Sequence, residues 1–352
     1  DPTKAFLIGL FVGLLFGALA QASRFCLRSA CVEFWSGGPR GRFGPSLGVW
    51  LFVFGAAVLG TQLLLRGDAL NPDQVRQLTA PGTLSGAIVG GLMFGIGMVL
   101  ARGCASRLLV LSATGNARAL LAGLVITVVA QASLTGLLSP LREELSGLWI
   151  IPPGPRNMLA HLPEYTGLAL GVATLALAGA VAVRNRLGPG RVLLSLGLGG
   201  TIALGWGLTA ALSRVSFDPV SVGSVTFTGP SADTLMALIT RPALELEFGI
   251  GLVPGVFVGS FLSAVARGEF KIQVFNAETG TVRYLVGACL MGFGGMLAGG
   301  CAVGAGVTGG SVFSLTAWVA LFCMWLGAGA CLFVQTARHA LPLRYRAEGG
   351  TE

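Results

Sequence analysis

The chain has 352 residues, 53% of them hydrophobic and 11% charged, with a net charge of +8 and a mean hydropathy of +0.79. Soluble domains carry about 25% charged residues, so too few charges are present to cover a water-soluble globule of this size, whereas lipid demands no such cover. No Walker A sequence occurs, which argues against ATP-driven transport by this chain alone.

In chain order, apolar runs long enough to cross a hydrocarbon core predict nine spans, at roughly 5–22, 45–65, 82–101, 117–138, 164–184, 191–212, 243–266, 281–298 and 314–337. The first run ends in ALAQA, which looks like a signal-peptide cleavage site. A similar segment recurs inside the chain, so the run is read as a span. Four Gly- and Ser-rich stretches, 23–36, 102–114, 213–232 and 299–312, are too short or too polar to cross. They are read as re-entrant segments, because non-helical backbone is tolerated at membrane depth only where protein buries it or it lines a cavity. The expected fold is one all-α polytopic membrane domain with nine transmembrane helices and four re-entrant segments.

An odd number of spans places the termini on opposite sides. Of the 23 Lys and Arg residues, sixteen fall on the side of the C-terminus and seven, Lys4, Arg66, Arg76, Arg142, Arg156, Arg214 and Arg241, on the other. The positive-inside rule then predicts a cytoplasmic C-terminus and a periplasmic N-terminus. The net charge reflects this bias and attraction to anionic headgroups, not nucleic-acid binding.

The chain resembles itself. Residues 95–105, GIGMVLARGCA, match 292–302, GFGGMLAGGCA, at seven of eleven positions with an offset of 197. A weaker match pairs GALAQASRFC, ending at Cys26, with GLTAALSRVS, ending at Ser216. This predicts an inverted repeat: residues 1–138 form the first unit, 139–190 a linker holding span five, and 191–352 the second unit with the C-terminal tail. Such proteins bind solutes near the midplane, where half-helix N-termini favour anions.

The repeat selects the candidate site. Cys104 and Cys301 follow GxGxxLAxG in both halves, and Gly103 and Gly300 precede them. A lone intramembrane cysteine is ordinarily a small packing residue, but two at equivalent breaks point to a path. Cys26 and its counterpart Ser216 add hydrogen-bonding groups, and Arg24 and Arg214 sit at membrane-edge breaks, where they either snorkel to headgroups or attract anions. Cys31, Cys289, Cys323 and Cys331 are assigned to packing, as are Gly251, Gly255 and Gly259 of GLVPGVFVG. Glu245 and Glu247 are read as an ordinary helix start. Seven cysteines without a CxxC pair, and two distant histidines, give no expectation of a disulfide framework, a metal site or another cofactor.

ARGCASR, AGGCAVGAG and GLLFGALAQASRFCLRSA resemble the YeeE/YedE family of sulfur-compound transporters over essentially the whole chain. The resemblance implies an hourglass-like arrangement of inverted repeats in the bacterial inner membrane and uptake of thiosulfate. It also implies a path lined by three cysteines, which by motif are Cys26, Cys104 and Cys301. Some relatives act with a small TusA-like sulfur carrier, here necessarily a separate cytoplasmic protein. The chemistry suits the cargo: a neutral thiol donates a weak S–H bond to the soft terminal sulfur, and burial disfavours the thiolate that would repel a dianion. Weak successive contacts release as readily as they bind. Two other readings stand: a transporter or channel for another small sulfur or selenium anion, and a membrane thiol or persulfide oxidoreductase. No enzyme activity is expected under the first two readings.

Overall fold

In the computed structural model, residues 2–38, 41–216, 220–240, 246–273 and 280–348 are described, without the side chains of Thr240 and residues 338–348. Arg40, Arg241 and Glu245, and with them the start of the seventh expected span, lie outside these residues. Thirteen helices organise the rest: α1 (Pro2–Ser23), α2 (Leu27–Ser36), α3 (Pro45–Arg66), α4 (Leu84–Leu100), α5 (Ala105–Ala113), α6 (Ala117–Thr135), α7 (Ser139–Gly147), α8 (Thr166–Asn185), α9 (Pro189–Val215), α10 (Thr228–Thr240), α11 (Phe248–Ala266), α12 (Thr281–Leu297) and α13 (Leu315–Glu348). A π-helical segment, Ala302–Thr308, follows α12 and ends in the short turn Gly309–Ser311.

Nine helical stretches among the described residues are long and apolar enough to cross a membrane: Pro2–Ser36, Pro45–Arg66, Leu84–Ala113, Ala117–Thr135, Thr166–Asn185, Pro189–Val215, Phe248–Ala266, Thr281–Ser311 and Leu315–Ala337. The chain is an all-α polytopic membrane protein. Its long spanning helices are apolar along most of their length, as lipid and a protein interior together require, and helix satisfies every backbone group within the segment.

The expectation of non-helical backbone in the Gly- and Ser-rich stretches needs correction. Three of the four return to helix within a few residues, as α2, α5 and the π-helical segment. Buried N–H and C=O groups must be paired, so each break is confined to three or four residues. Among the described residues of these stretches, the one after α9 holds a longer non-helical run, 220–227, before α10.

Small residues let helix backbones touch. Gly9, Gly13 and Gly17 of α1 lie on the backbone of Phe248, Leu252 and Val256 in α11, while Gly251, Gly255 and Gly259 lie on Phe6, Leu10 and Leu14. These two helices therefore run parallel. α4 and α12 run antiparallel and meet glycine to glycine: a Cβ on Gly294 would stand 2.7 Å from the Gly90 oxygen, and one on Gly97 2.6 Å from the Gly287 oxygen.

The connections sort to two ends. At one, Arg24 pairs with Glu269 at 3.4 Å and the Lys271 amide bonds the Thr114 carbonyl. At the other, Arg66 donates to the Glu164 carbonyl, and Arg214 to that of Asp68. There, strands β1 (Gly82–Thr83) and β2 (Ile150–Ile151) pair antiparallel, and Arg156 bonds the Ala80 carbonyl and Thr316. Burial, with the like charge of Arg76, lowers the Arg156 pKa.

Candidate functional site

Three helix breaks inside the apolar stretches share one backbone design, which the turn Arg186–Leu187–Gly188 between α8 and α9 also uses, with glycine as the cap. A residue in the left-handed region ends the first helix: Arg24 (φ 57°), Arg102 (φ 56°) or Gly299 (φ 83°). The next residue donates its N–H to the carbonyl five positions back, as Phe25 to Ala20, Gly103 to Met98 and Gly300 to Gly295. This is the Schellman closure of a helix C-terminus. The following residue is extended and caps a new helix, and in all three breaks it is a cysteine: Cys26, Cys104 and Cys301. Left-handed backbone costs a non-glycine residue roughly 1–2 kcal/mol. Gly300 admits no substitute, since its φ is 153° and a Cβ would stand 2.8 Å from the Ala305 nitrogen.

A thiol is a weaker cap than the usual Ser, Thr, Asp or Asn, so first-turn N–H groups remain available to another acceptor. Cys301 Sγ accepts from Gly304 N at 3.4 Å, and Cys104 Sγ lies 3.3 Å from Ser106 Oγ. All three thiols are free and buried.

Cys26 and Cys104 come together, side chain to side chain. Beside them lies Arg107, in the first turn of α5, within electrostatic reach of both thiols. Its Nη1 donates to Gln21 Oε1 at 3.2 Å. Gln21 Nε2 in turn donates to Glu269 Oε2 at 2.9 Å, and Arg24 Nη2 donates to Glu269 Oε1 at 3.4 Å. A polar chain thus runs from the thiol pair to exposed Arg24. The buried Ser23 hydroxyl next to it has no partner.

Cys301 sits apart from this pair. The segment that it caps packs on the non-helical run after α9: Gly304 lies against Thr226, and Thr308 Oγ1 donates to the Val225 carbonyl at 2.6 Å. It also touches α5. Buried Phe16 and Phe227, ring centroids 5.1 Å apart, and buried Phe94 fill the interior.

Ser216 and Arg214 are placed differently from Cys26 and Arg24. Ser216 ends α9 rather than opening a helix, and its hydroxyl has no partner. Arg214 is helical and bonds Asp68, at the end opposite Arg24. On the sequence, Arg107 stands with Arg24 and Arg102 as a candidate for function rather than topology, while Gln21 and Glu269 are not singled out. Gln21 carried a signal, as a lone amide near the end of an apolar span. Glu269 carried none. Among the described residues, no group of three or more His, Cys, Asp or Glu is placed to hold a metal.

The comparison with known proteins fits this frame. The relatives include two proteins named thiosulfate transporter TsuA. The one from Escherichia coli (strain K12) is 26% identical over 372 residues, covering 95% of this chain and 96% of the relative. The one from Spirochaeta thermophila is 28% identical over 333 residues, covering 91% and 96%. A family model described as sulphur transport matches residues 22–330, all three cysteine breaks included. The chain therefore belongs to the sulphur transport (YeeE/YedE) family.

Proposed function

We propose that this protein takes up thiosulfate across the bacterial inner membrane, with a periplasmic N-terminus and a cytoplasmic C-terminus. The carrying observation is that three cysteines each cap a helix at a shared type of break, two of them meeting beside a half-buried guanidinium. The names of the relatives support thiosulfate as the cargo. Thiols donate weak S–H bonds to its terminal sulfur, while helix N-termini and Arg107 offset its charge. The thiols of Cys301, Cys104 and Cys26, with Gly300 and Gly103 shaping the breaks, form a relay. Arg24 serves its cytoplasmic mouth, and Arg214 and Ser216 the periplasmic one. A cytoplasmic TusA-like carrier is a fitting acceptor.

The glycine contacts support the inverted repeat. At the offset of 197, Gly90 corresponds to Gly287 and Gly97 to Gly294. Gly90 touches Gly294, and Gly97 touches Gly287. An antiparallel pair related by a two-fold axis makes this reciprocal contact, and the breaks after α1 and α4 then enter from one side while the others enter from the opposite side.

Growth tests the relay, in cells that depend on this protein and on thiosulfate as sulfur source. Cys104→Ala and Cys301→Ala should each abolish growth, and full growth of both would sink the reading. Competition by unlabelled sulfite or selenium anions in proteoliposomes separates thiosulfate from another small anion. One observation favours the oxidoreductase reading: Cys26 and Cys104 meet. Mass spectrometry of the purified protein would then find a disulfide or persulfide there.

A further inference from the structure

At the end of the bundle that carries Arg24 lies a cavity of about 380 Å³, lined by Ala22, Arg24, Gly190, Arg191, Leu194 and Arg267. Its three guanidiniums come from three places: the α1–α2 break, the first turn of α9 and the residue capping α11. Arg191 Nε is held by the Ser23 carbonyl at 3.2 Å, which leaves its terminal nitrogens for another acceptor. Arg24 repels Arg191, and Glu33, which bonds Ser46 and the Leu47 amide, attracts it. Among the described residues, Glu269 is the one carboxylate in ion-pair contact with any of the three, 3.4 Å from Arg24. A cleft lined by one sign of charge concentrates counter-ions.

The backbone adds to this. Gly190 is the second residue of the 27-residue α9, so its N–H is among the four that the helix leaves free. The helix dipole places partial positive charge there. A Cβ on Gly190 would meet no atom within 4 Å.

We infer that this cavity is a tetrahedral-oxyanion site. Two sources fit its chemistry: thiosulfate leaving Cys26 and Cys104, or the phosphate of an anionic lipid headgroup. Only the first of these rests on the transport reading, so the test uses sulfate, which lacks the soft sulfur.

The full chain is purified in detergent and freed of lipid. Sulfate is titrated calorimetrically in a Cys104→Ala background, so that a failure of the relay and a failure of this site read out separately. Native mass spectrometry follows retention of phosphatidylglycerol from vesicles containing it. Sulfate should bind, and Gly190→Asp and the double variant Arg191→Gln/Arg267→Gln should each weaken it at least tenfold. Gly190→Asp occupies open space, and an acidic residue in a first helical turn is favourable, so a folded variant is expected. Retained phosphatidylglycerol that blocks sulfate and is lost in Gly190→Asp identifies the lipid source. Sulfate binding without retained lipid identifies the free anion. If neither ligand binds, or both bind the variants as they bind the parent, the site is overturned.

Discussion

The Cys26 thiol meets the Cys104 thiol although each caps a different helix after a different span. The contact follows from one backbone device used twice at the same end of the bundle. Copper-phenanthroline, supplied as oxidant, should therefore join these two thiols as an intramolecular disulfide while Cys301 stays alkylatable. Peptide mapping reads the pairing. Thiosulfate uptake should fall at least tenfold on oxidation and return with dithiothreitol. A disulfide involving Cys301 would contradict the arrangement.

Arg107 acts electrostatically on both thiols of that pair and reaches Gln21 at 3.2 Å. Hydrogen bonds to charged groups contribute about 1.5–3 kcal/mol, which is about 10- to 150-fold in rate or affinity. Arg107→Gln should lower uptake into proteoliposomes within that range, and Arg107→Lys should recover part of it. Unchanged uptake by Arg107→Gln would remove the guanidinium from the path.

Glu269 holds Gln21 and Arg24, the groups that, on the proposed path, a departing anion meets next. Its carboxylate competes with that anion for them. Glu269→Gln removes the charge but keeps an acceptor for Gln21. Partly exposed pairs contribute about 0.2–1 kcal/mol, so the apparent KM for thiosulfate should fall up to about fivefold. A raised KM would mean that Glu269 orders the site rather than competing for it.

The spans were legible because lipid imposes an apolar run on each of them, and the cysteine motifs because Gly299–Gly300–Cys301 and Arg102–Gly103–Cys104 repeat in sequence. The break at Arg24 was less visible, since a left-handed arginine has no signature of its own. Treating Ser216 as the counterpart of Cys26 matched letters, yet the chain is non-helical from 220 to 227, whereas α2 begins directly after Cys26. Gln21, Arg107 and Glu269 come from three separate elements, so no local pattern could have joined them. Tertiary packing alone makes that network.

The crossing of α4 and α12 carries a last expectation. A Cβ on Gly90 would stand 2.5 Å from the Gly294 oxygen and 2.6 Å from the Ala298 nitrogen, both backbone atoms that cannot rotate away. Overpacking of this kind costs about 1–3 kcal/mol. Gly90→Ala and Gly294→Ala should each lower the Tm in detergent, followed by loss of the monodisperse peak on heating. The pair should cost less than the sum, because both methyl groups push apart the same two helices and one separation relieves both clashes. Gly179→Ala in α8 serves as control: its Cβ meets nothing within 4 Å, and alanine gains up to about 1 kcal/mol in helix propensity. Its Tm should hold or rise. If Gly90→Ala behaves like Gly179→Ala, the two helices do not meet at this glycine.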